Sequence, residues 1–185
     1  MSWVRSAALL AVSAGLLGSA EIPRPAPDFS VLLPEGGELQ LSHYRGKVVV
    51  LEFLITTCPH CQHAAQLLTQ MQEEYGPKGF QAIGCSFDPM PRLVVPDFVK
   101  NLDLKHPVGY SFQEQVYSFV QVDPGYAVHV PQLVFIDRKG MIRNQSAIRG
   151  DAETAKEENV RKWIELLVGE PGGSPRKPAA AKTKS

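Results

Sequence analysis

Runs of apolar residues alternate with turn-forming residues along this chain, and their periodicity predicts the order of its strands and helices. Val48–Ile55 is a nearly continuous apolar run, typical of a central strand covered on both faces. From Cys61 onward apolar residues recur at helical spacing, and Gly76-Pro77 ends this helix. Phe80–Phe87 predicts a second buried strand. Strand, helix and strand in this order indicate a parallel, right-handed βαβ unit in an α/β fold.

The residues before this unit predict an extended entry and a hairpin. Prolines recur within Ile22–Pro27, and proline fixes φ and restricts the preceding residue, so this segment is expected to be extended. Phe29–Leu33 and Glu38–Leu41 flank the turn-forming residues Pro34–Gly37, a pattern typical of a β-hairpin. A further turn is expected at Tyr44–Lys47.

The chain after the βαβ unit is first irregular and then regular again. Between Asp88 and Asp123 the pattern predicts a helix, a strand and a helix, over Pro96–Leu102, His106–Tyr110 and Gln113–Val120.

The C-terminal part predicts a second hairpin and a closing helix. Leu133–Ile136 and Met141–Ile148 flank a turn at Asp137–Gly140, and Ala155–Val168 is amphipathic at helical spacing. From Gly169 the chain has no apolar face to bury, so residues 169–185 are expected to be a disordered tail after a domain spanning 21–168.

The first 20 residues have the layout of a secretory signal peptide. Arg5 precedes the apolar stretch Ala7–Leu17, and the small residues Gly18–Ala20 supply an A-x-A-like cleavage site. A spanning helix needs about 20 apolar residues, and Glu21 ends this stretch early. We therefore expect an exported protein, in a bacterial periplasm or at the outer face of the membrane. An uncleaved anchor, or an ordinary hydrophobic N-terminus, is the alternative.

Composition narrows the choice of partners. The 185 residues are 44% hydrophobic, enough for one core, and the formal net charge is zero. A neutral chain gives no support for nucleic acid or an anionic membrane surface as a partner. After removal of the signal peptide, no strong membrane insertion is expected.

Three cysteines carry the candidate chemistry. Cys58 and Cys61 form a C-x-x-C pair, and Cys85 stands alone in an apolar strand, where a buried, inert thiol is expected. The pair lies where the strand ends and the helix begins, so unpaired N–H groups and the helix dipole would stabilise a thiolate on Cys58. Cys61, one turn further in, could then resolve a mixed disulfide.

The two residues between the cysteines suit this position. Pro59 is well placed in a first helical turn, where its missing N–H costs little. His60 adds a positive or hydrogen-bonding group that would favour the reduced form and make the disulfide more oxidising. The alternative is half of a structural zinc site, but there is no second C-x-x-C, so no metal ligands are assigned.

Several motifs together resemble the thioredoxin-like superfamily, specifically its TlpA and ResA type of exported thiol–disulfide oxidoreductase. The resemblance covers about Ala26 to Val168. It rests on Ala26-Pro27-Asp28-Phe29, Leu41-Ser42-His43-Tyr44-Arg45-Gly46-Lys47-Val48-Val49-Val50, the C-x-x-C, Val130-Pro131 and Phe135-Ile136-Asp137-Arg138-Lys139-Gly140. It implies a thioredoxin-like fold, a central mixed β-sheet flanked by helices, with an N-terminal β-hairpin and a central βα insertion.

The resemblance also implies partners and site residues. The partners would be protein thiols or disulfides outside the cytoplasm and a redox partner that can be membrane-bound, and no dissociable cofactor is needed. Pro131 would be a cis-proline opposite the cysteines, with Val130 offering its backbone to a substrate peptide. Glu52, inside the apolar strand, matches a buried acid of thioredoxins that helps deprotonate the resolving thiol. Burial would raise the pKa of Glu52 towards neutrality, as a general base for Cys61 requires. The alternative for Glu52 is a strand edge, facing water or paired with Lys47.

The chain departs from this family at three places. Thr57 replaces the usual Trp before the first cysteine, and Ala64 stands where many relatives carry Glu. The dipeptide Pro59-His60 is that of the oxidising DsbA proteins, whereas the scaffold suggests a reductase. The direction of electron flow therefore stays open.

Two other functions fit parts of the pattern. A peroxiredoxin of the AhpC/TSA type would need Thr or Ser three residues before its peroxidatic cysteine, where this chain has Ile55. A copper-binding thioredoxin fold would use both cysteines and a histidine for Cu(I), although such proteins usually space the cysteines more widely.

Overall fold

A single mixed β-sheet with helices on both faces forms the centre of the molecule. The structure is a computed structural model, and it describes residues 21–122, 125–150 and 153–171. The strands are β1 (Arg24–Pro25), β2 (Ser30–Leu32), β3 (Glu38–Gln40), β4 (Val48–Leu54), β5 (Phe80–Ser86), β6 (Val108–Tyr110), β7 (Gln132–Ile136) and β8 (Met141–Gln145). The helices are α1 (Pro59–Tyr75), α2 (Pro91–Asn101), α3 (Gln113–Val120) and α4 (Glu157–Gly169).

The strand order is β1-β8-β7-β4-β5-β6-β2-β3. Strands β4, β5 and β6 run parallel, whereas β7 pairs antiparallel with β4 and the outer strands are antiparallel as well. The parallel β4-α1-β5 unit, the hairpin β2–β3 and the hairpin β7–β8 confirm the corresponding predictions. The expected thioredoxin-like fold is the one observed.

The alternation of side chains along β4 builds a core on each face of the sheet. Leu51 and Phe53 face a cluster with Phe29 and Phe119. The three phenylalanine rings meet edge to face, with centroids 5.0–5.5 Å apart, and each such pair adds about 1 kcal/mol beyond area burial. Val48 and Val50 face the other cluster, which α1 and α4 cover with the buried side chains Leu67, Leu68, Met71, Val160, Ile164 and Leu167. Coverage on both faces explains why β4 is almost uniformly apolar.

Two predicted boundaries were wrong by three residues or more. Helix α2 begins at Pro91, not at Pro96, and Pro96 lies inside it on the exposed side. Proline favours the first helical turn, and Pro91, rather than Pro96, occupies that turn of α2. Pro96 has no N–H to donate to the carbonyl of Arg92, but Arg92 is exposed, so water can bond to this carbonyl instead. Strand β8 ends at Gln145 rather than Ile148.

The central insertion is present as α2, β6 and α3, and it connects to the N-terminal hairpin. Leu32 of β2 lies opposite Tyr110 of β6. A Cβ atom on Gly109 would lie 2.3 Å from the Leu32 carbonyl oxygen, so only glycine allows the hairpin to approach this closely.

Helix α4 ends close to residue 168, the predicted C-terminal limit of the domain. Helix α4 continues to Gly169, and Glu170 accepts two hydrogen bonds from Arg143 at 2.9 and 3.0 Å. The predicted signal peptide, residues 1–20, and residues 172–185 of the predicted tail lie outside the described residues. Within the described ranges, every helix is too short or too polar to cross a bilayer.

Candidate active site

Cys58 lies at the junction of the central strand and the first long helix, as the spacing predicted. Strand β4 ends at Leu54, and the Cys58 N–H donates to the Ile55 carbonyl at 3.0 Å, closing a turn. Cys58 has an extended backbone at the N-cap of α1, and its carbonyl accepts from the Gln62 N–H at 3.0 Å. Its thiol is therefore held beside the unpaired N–H groups of the first turn, where a helix stabilises negative charge.

The two thiols of the pair differ in exposure. Cys58 is half-buried and Cys61 is fully buried, and both are free thiols. Burial is the largest cause of a raised pKa for Cys61, the charges of Glu52 and Cys58 add to it, and a backbone hydrogen bond from Ile55 opposes it. The Cys58 side chain is close enough to hydrogen bond with Cys61. An incoming sulfur can reach Cys58 first, while Cys61 is protonated and protected.

Pro59 and His60 occupy the first turn of α1 and are exposed. Pro59 is at the first helical position, as expected. His60 faces solvent beside Cys58 rather than entering the core, so its predicted effect on the disulfide stays a prediction. His63, one turn on, and His129, before the cis-proline, are both exposed.

Glu52 is a fully buried carboxyl beneath the dithiol. It lies on β4 between Gly84 of β5 and Leu133 of β7, and its exposed fraction is 0%. Among the described residues neither carboxyl oxygen has a hydrogen-bond partner. These observations exclude the alternative of a water-facing residue or a Lys47 pair.

The surroundings of Glu52 favour its protonated form. Burial raises the pKa of Glu52 well above its ordinary value, and the negative charge of Cys58 raises it further. Glu52 in turn raises the pKa of Cys61. The buried carboxyl is thus electrostatically coupled to both thiols, although its role in proton transfer stays a prediction.

Val130 and Pro131 directly precede β7, whose first residue pairs with Phe53 near the end of β4. The Val130–Pro131 peptide bond is cis, as the resemblance implied. Val130 and Cys58 are partly buried against one cluster, which also contains Cys61 and Leu54. Residues from the end of β4, the start of α1 and the segment before β7 therefore lie together at the carboxyl end of β4.

Sequence reasoning missed three polar residues that hold the turn before Cys58. Thr56 donates its backbone N–H to Asp88 Oδ2 at 2.9 Å, and its carbonyl accepts from Gln62 Nε2 at 2.9 Å. Asp88 follows β5, the parallel neighbour of β4. The carboxyl ends of adjacent parallel strands lie together, and this rule could have pointed to Asp88.

Cys85 takes no part in this arrangement. It is fully buried on β5 opposite Phe53, and burial raises its pKa, as expected for an inert thiol. Over the described ranges, no three His, Cys, Asp or Glu side chains come together as a potential metal site.

Comparisons with known proteins agree with the fold. The model of the AhpC/TSA family matches residues 22–145. The thiol–disulfide oxidoreductase ResA of Bacillus thuringiensis subsp. konkukian (strain 97-27) is 29% identical over 144 residues, which cover 78% of this chain and 79% of that protein. ResA of Bacillus cereus (strain ZK / E33L) is 30% identical, over 66% of this chain and 67% of the relative.

A solved structure has the same architecture. It is a putative thiol:disulfide interchange protein DsbE from Chlorobium tepidum, with a TM-score of 0.68 and 26% identity, and the match covers 82% of this chain and 100% of that one. A solved putative protein disulfide isomerase from Bacteroides thetaiotaomicron is also 26% identical, with a TM-score of 0.63, over 80% of this chain and 90% of that one. The chain therefore belongs to the AhpC/TSA family, in which it is a thioredoxin-like thiol–disulfide oxidoreductase of the ResA type.

Proposed function

We propose that the protein exchanges disulfides with protein partners outside the cytoplasm through the Cys58–Cys61 dithiol. The observation that carries this proposal is the unequal burial of two adjacent thiols at a helix N-terminus. An exposed nucleophile needs a thiolate, whereas a resolving thiol must stay protected until a mixed disulfide forms. The two positions of the pair meet these opposite needs.

Reduction of a partner proceeds in two balanced steps. The Cys58 thiolate attacks one sulfur of the partner disulfide; a Cys58–partner bond forms, and the other partner sulfur leaves as a thiolate. Cys61 then loses its proton and attacks the Cys58 sulfur, which releases the second partner thiolate. The partner gains two electrons and the protein ends with a Cys58–Cys61 disulfide. The oxidised protein runs the same steps in reverse as a disulfide donor.

Glu52 acts as the proton acceptor for Cys61 in this proposal. The negative charge of Cys58 raises the pKa of Glu52 while Cys58 is a thiolate. In the mixed disulfide Cys58 is neutral, so this contribution disappears and the carboxyl more readily becomes a carboxylate. More of the Glu52 side chain is then present as the proton-accepting carboxylate at the step that deprotonates Cys61.

The remaining site residues bind the partner or tune the pair. Val130, before Pro131, packs against the same apolar cluster as Cys58, and its backbone would pair with an extended substrate segment. Exposed His60 would favour the thiolate of Cys58 and so make the disulfide more oxidising. The reduced thiol pair itself carries the two electrons that are exchanged, so the exchange needs no dissociable cofactor.

The location and the second redox partner are part of the same proposal. The layout of residues 1–20 supports export, and disulfide exchange with folding or assembling proteins is suited to an oxidising compartment. A redox partner, which can be a membrane protein, would then reset the dithiol after each cycle.

The first test is the equilibrium of the purified protein with glutathione. A reversible two-electron couple is expected within the range of this fold, roughly −270 to −120 mV. A value near the upper end makes the protein a disulfide donor, and one near the lower end makes it a reductase. Cys58→Ser should abolish the couple and Cys85→Ser should keep it. A wild-type protein without a reversible disulfide contradicts the proposal.

A peroxidase is the second candidate, and the AhpC/TSA family match is the observation that favours it. In that case the Cys58 thiolate would attack a peroxide oxygen, giving a sulfenic acid and releasing an alcohol or water. Peroxide consumption by the reduced wild-type protein, compared with Cys58→Ser, measures this. Ile55, where Thr or Ser is expected, argues for slow consumption.

A further inference from the structure

The turn that carries Cys58 is held through the backbone of one buried residue. Thr56 is only 7% exposed, and its N–H and its carbonyl both bond to side chains from other elements. Asp88, after β5, accepts from the N–H, and Gln62, on α1, donates to the carbonyl, each at 2.9 Å. These two hydrogen bonds join the strand end, the neighbouring strand and the helix at a position two residues before Cys58.

The Asp88 carboxylate is itself fixed. Ser86 Oγ donates to Asp88 Oδ2 at 2.7 Å, and the Asp88 N–H donates to Ser86 Oγ at 3.1 Å. Ser86 is fully buried, lies opposite Leu54 in the parallel ladder, and its carbonyl accepts from the Ser111 N–H at 2.9 Å. The acceptor for Thr56 is therefore anchored to the central sheet and does not depend on a flexible side chain.

We propose that Asp88 and Gln62 are positioning residues for the thiol–disulfide reaction, acting on Cys58 through the backbone of Thr56. Stabilisation of a thiolate by a helix falls off within the first turn, and a disulfide forms only over a narrow range of Cα separations. A turn free to relax would move Cys58 away from both conditions. The inference rests on the proposed role of Cys58, but its main readout does not.

The charge of the Asp88 carboxylate can be separated from its position as a hydrogen-bond acceptor. A hydrogen bond to a charged acceptor is stronger than a neutral one, and Asn could accept the same Thr56 N–H without the charge. The Thr56 N–H and Ser86 Oγ both donate to Asp88 Oδ2, and an Asn amide oxygen at that position can accept both hydrogen bonds. Geometry should therefore survive in Asp88→Asn and be lost in Asp88→Ala.

The test compares Asp88→Ala and Asp88→Asn with the control Asp97→Ala, which removes an exposed acid on α2. The rate of Cys58 alkylation by iodoacetamide is measured on full-length, folded, reduced protein across pH, with the modified residue located by mass spectrometry. We expect Asp88→Ala to slow alkylation about tenfold, as loss of one charge-assisted hydrogen bond implies. Asp88→Asn should recover most of the rate, and Asp97→Ala should match the wild type.

Three outcomes separate the explanations. A wild-type rate in folded Asp88→Ala overturns the inference, because Asp88 would then serve only the fold. Equal loss in Asp88→Ala and Asp88→Asn also overturns it, because charge rather than position would be responsible. If Asp88→Ala does not fold, Gln62→Ala decides: a several-fold slower alkylation supports the inference and an unchanged rate overturns it.

The glutathione equilibrium distinguishes a failure of this inference from a failure of the proposed function. Alkylation of Cys58 can be followed whether or not a disulfide forms. A wild-type protein without a reversible disulfide would refute the exchange reaction while leaving the positioning effect measurable. A wild-type protein with a normal couple, and an Asp88→Ala variant with an unchanged alkylation rate, would refute only the positioning role.

Discussion

Cys61 and Cys85 are both fully buried thiols, and burial raises the pKa of each. Their neighbours differ. Cys61 is within reach of the Cys58 thiol and feels the charge of Glu52. Cys85 lies in the apolar cluster of the opposite face, with its Sγ 3.9 Å from the Ser86 carbonyl. Burial protects either thiol from reaction, and in the proposed exchange a second sulfur and a buried acid give Cys61 its resolving role.

The largest expected effect comes from the cysteines themselves. Cys61→Ser should leave Cys58 able to attack a partner but unable to be resolved, so a mixed disulfide accumulates in proportion to the partner added. Cys85→Ser should show no such adduct and should keep exchange near the wild-type rate. Non-reducing gels after incubation with a disulfide-bonded partner measure both. A persistent adduct in Cys85→Ser would break the contrast between the two thiols.

Glu52→Gln tests the acid that distinguishes the two sites. Resolution of the mixed disulfide should slow by roughly a hundredfold near neutral pH, the lower end of the range of general base catalysis, while formation of the mixed disulfide changes little. Stopped-flow measurement of the two phases separates these steps. If both phases slow equally, Glu52 shapes the site without moving the proton of Cys61.

Glu52→Gln should also change how the free energy of unfolding depends on pH. The folded-state pKa of Glu52 is raised, so the native state binds more protons than the unfolded chain above about pH 4.5. The wild type should therefore lose stability relative to Glu52→Gln as pH rises from there through the folded-state pKa, and the two should converge in acid. Urea unfolding across pH measures the difference. A wild type that gains on Glu52→Gln with rising pH would contradict the assigned burial.

His106 is a buried titratable residue that has no role in the proposed dithiol exchange. Burial lowers its pKa to about 4, and its Nδ1 lies 3.1 Å from Thr69 Oγ1. His106 becomes protonated near pH 6.5 in the unfolded chain and only near pH 4 in the folded protein. The free energy of unfolding should therefore decrease by roughly 3 kcal/mol as the pH falls from 6.5 to 4.

Denaturant unfolding of His106→Gln against the wild type measures that loss, and exposed His63→Gln is the control. The acid-induced loss should shrink in His106→Gln and persist in His63→Gln. Alkylation of Cys58 should be unchanged in both. An altered alkylation rate in His106→Gln would show that burial remote from the sulfurs also controls their chemistry.

The smallest effect is expected at Cys85. Cys85→Ala leaves a small cavity next to Phe53 and should cost about 1 kcal/mol of stability, in proportion to the volume removed. The glutathione equilibrium should not move. A shifted reduction potential in Cys85→Ala would mean that the two faces of the sheet are coupled through β4 and β5.

The sequence predicted those parts of the site that depend on local patterns. The apolar run of β4, the helical spacing after Cys61 and Pro59 at the first turn placed the dithiol correctly. Asp88 was missed because its partner, Thr56, is distant in sequence, and only strand order brings the two together. The burial of Glu52 was predicted from its apolar strand, but its lack of a hydrogen-bond partner depends on three-dimensional packing. The start of α2 was wrong because two prolines suit a first turn equally well.

The sheet ends on both sides in very short strands, β1 with two residues and β3 with three. Long unpaired edges are templates on which another extended chain can pair and aggregate. A protein proposed to handle unfolded or extended polypeptides would meet this hazard at every encounter. Short outer strands restrict such pairing, and the proposed exchange instead offers an extended partner the backbone of the segment before β7.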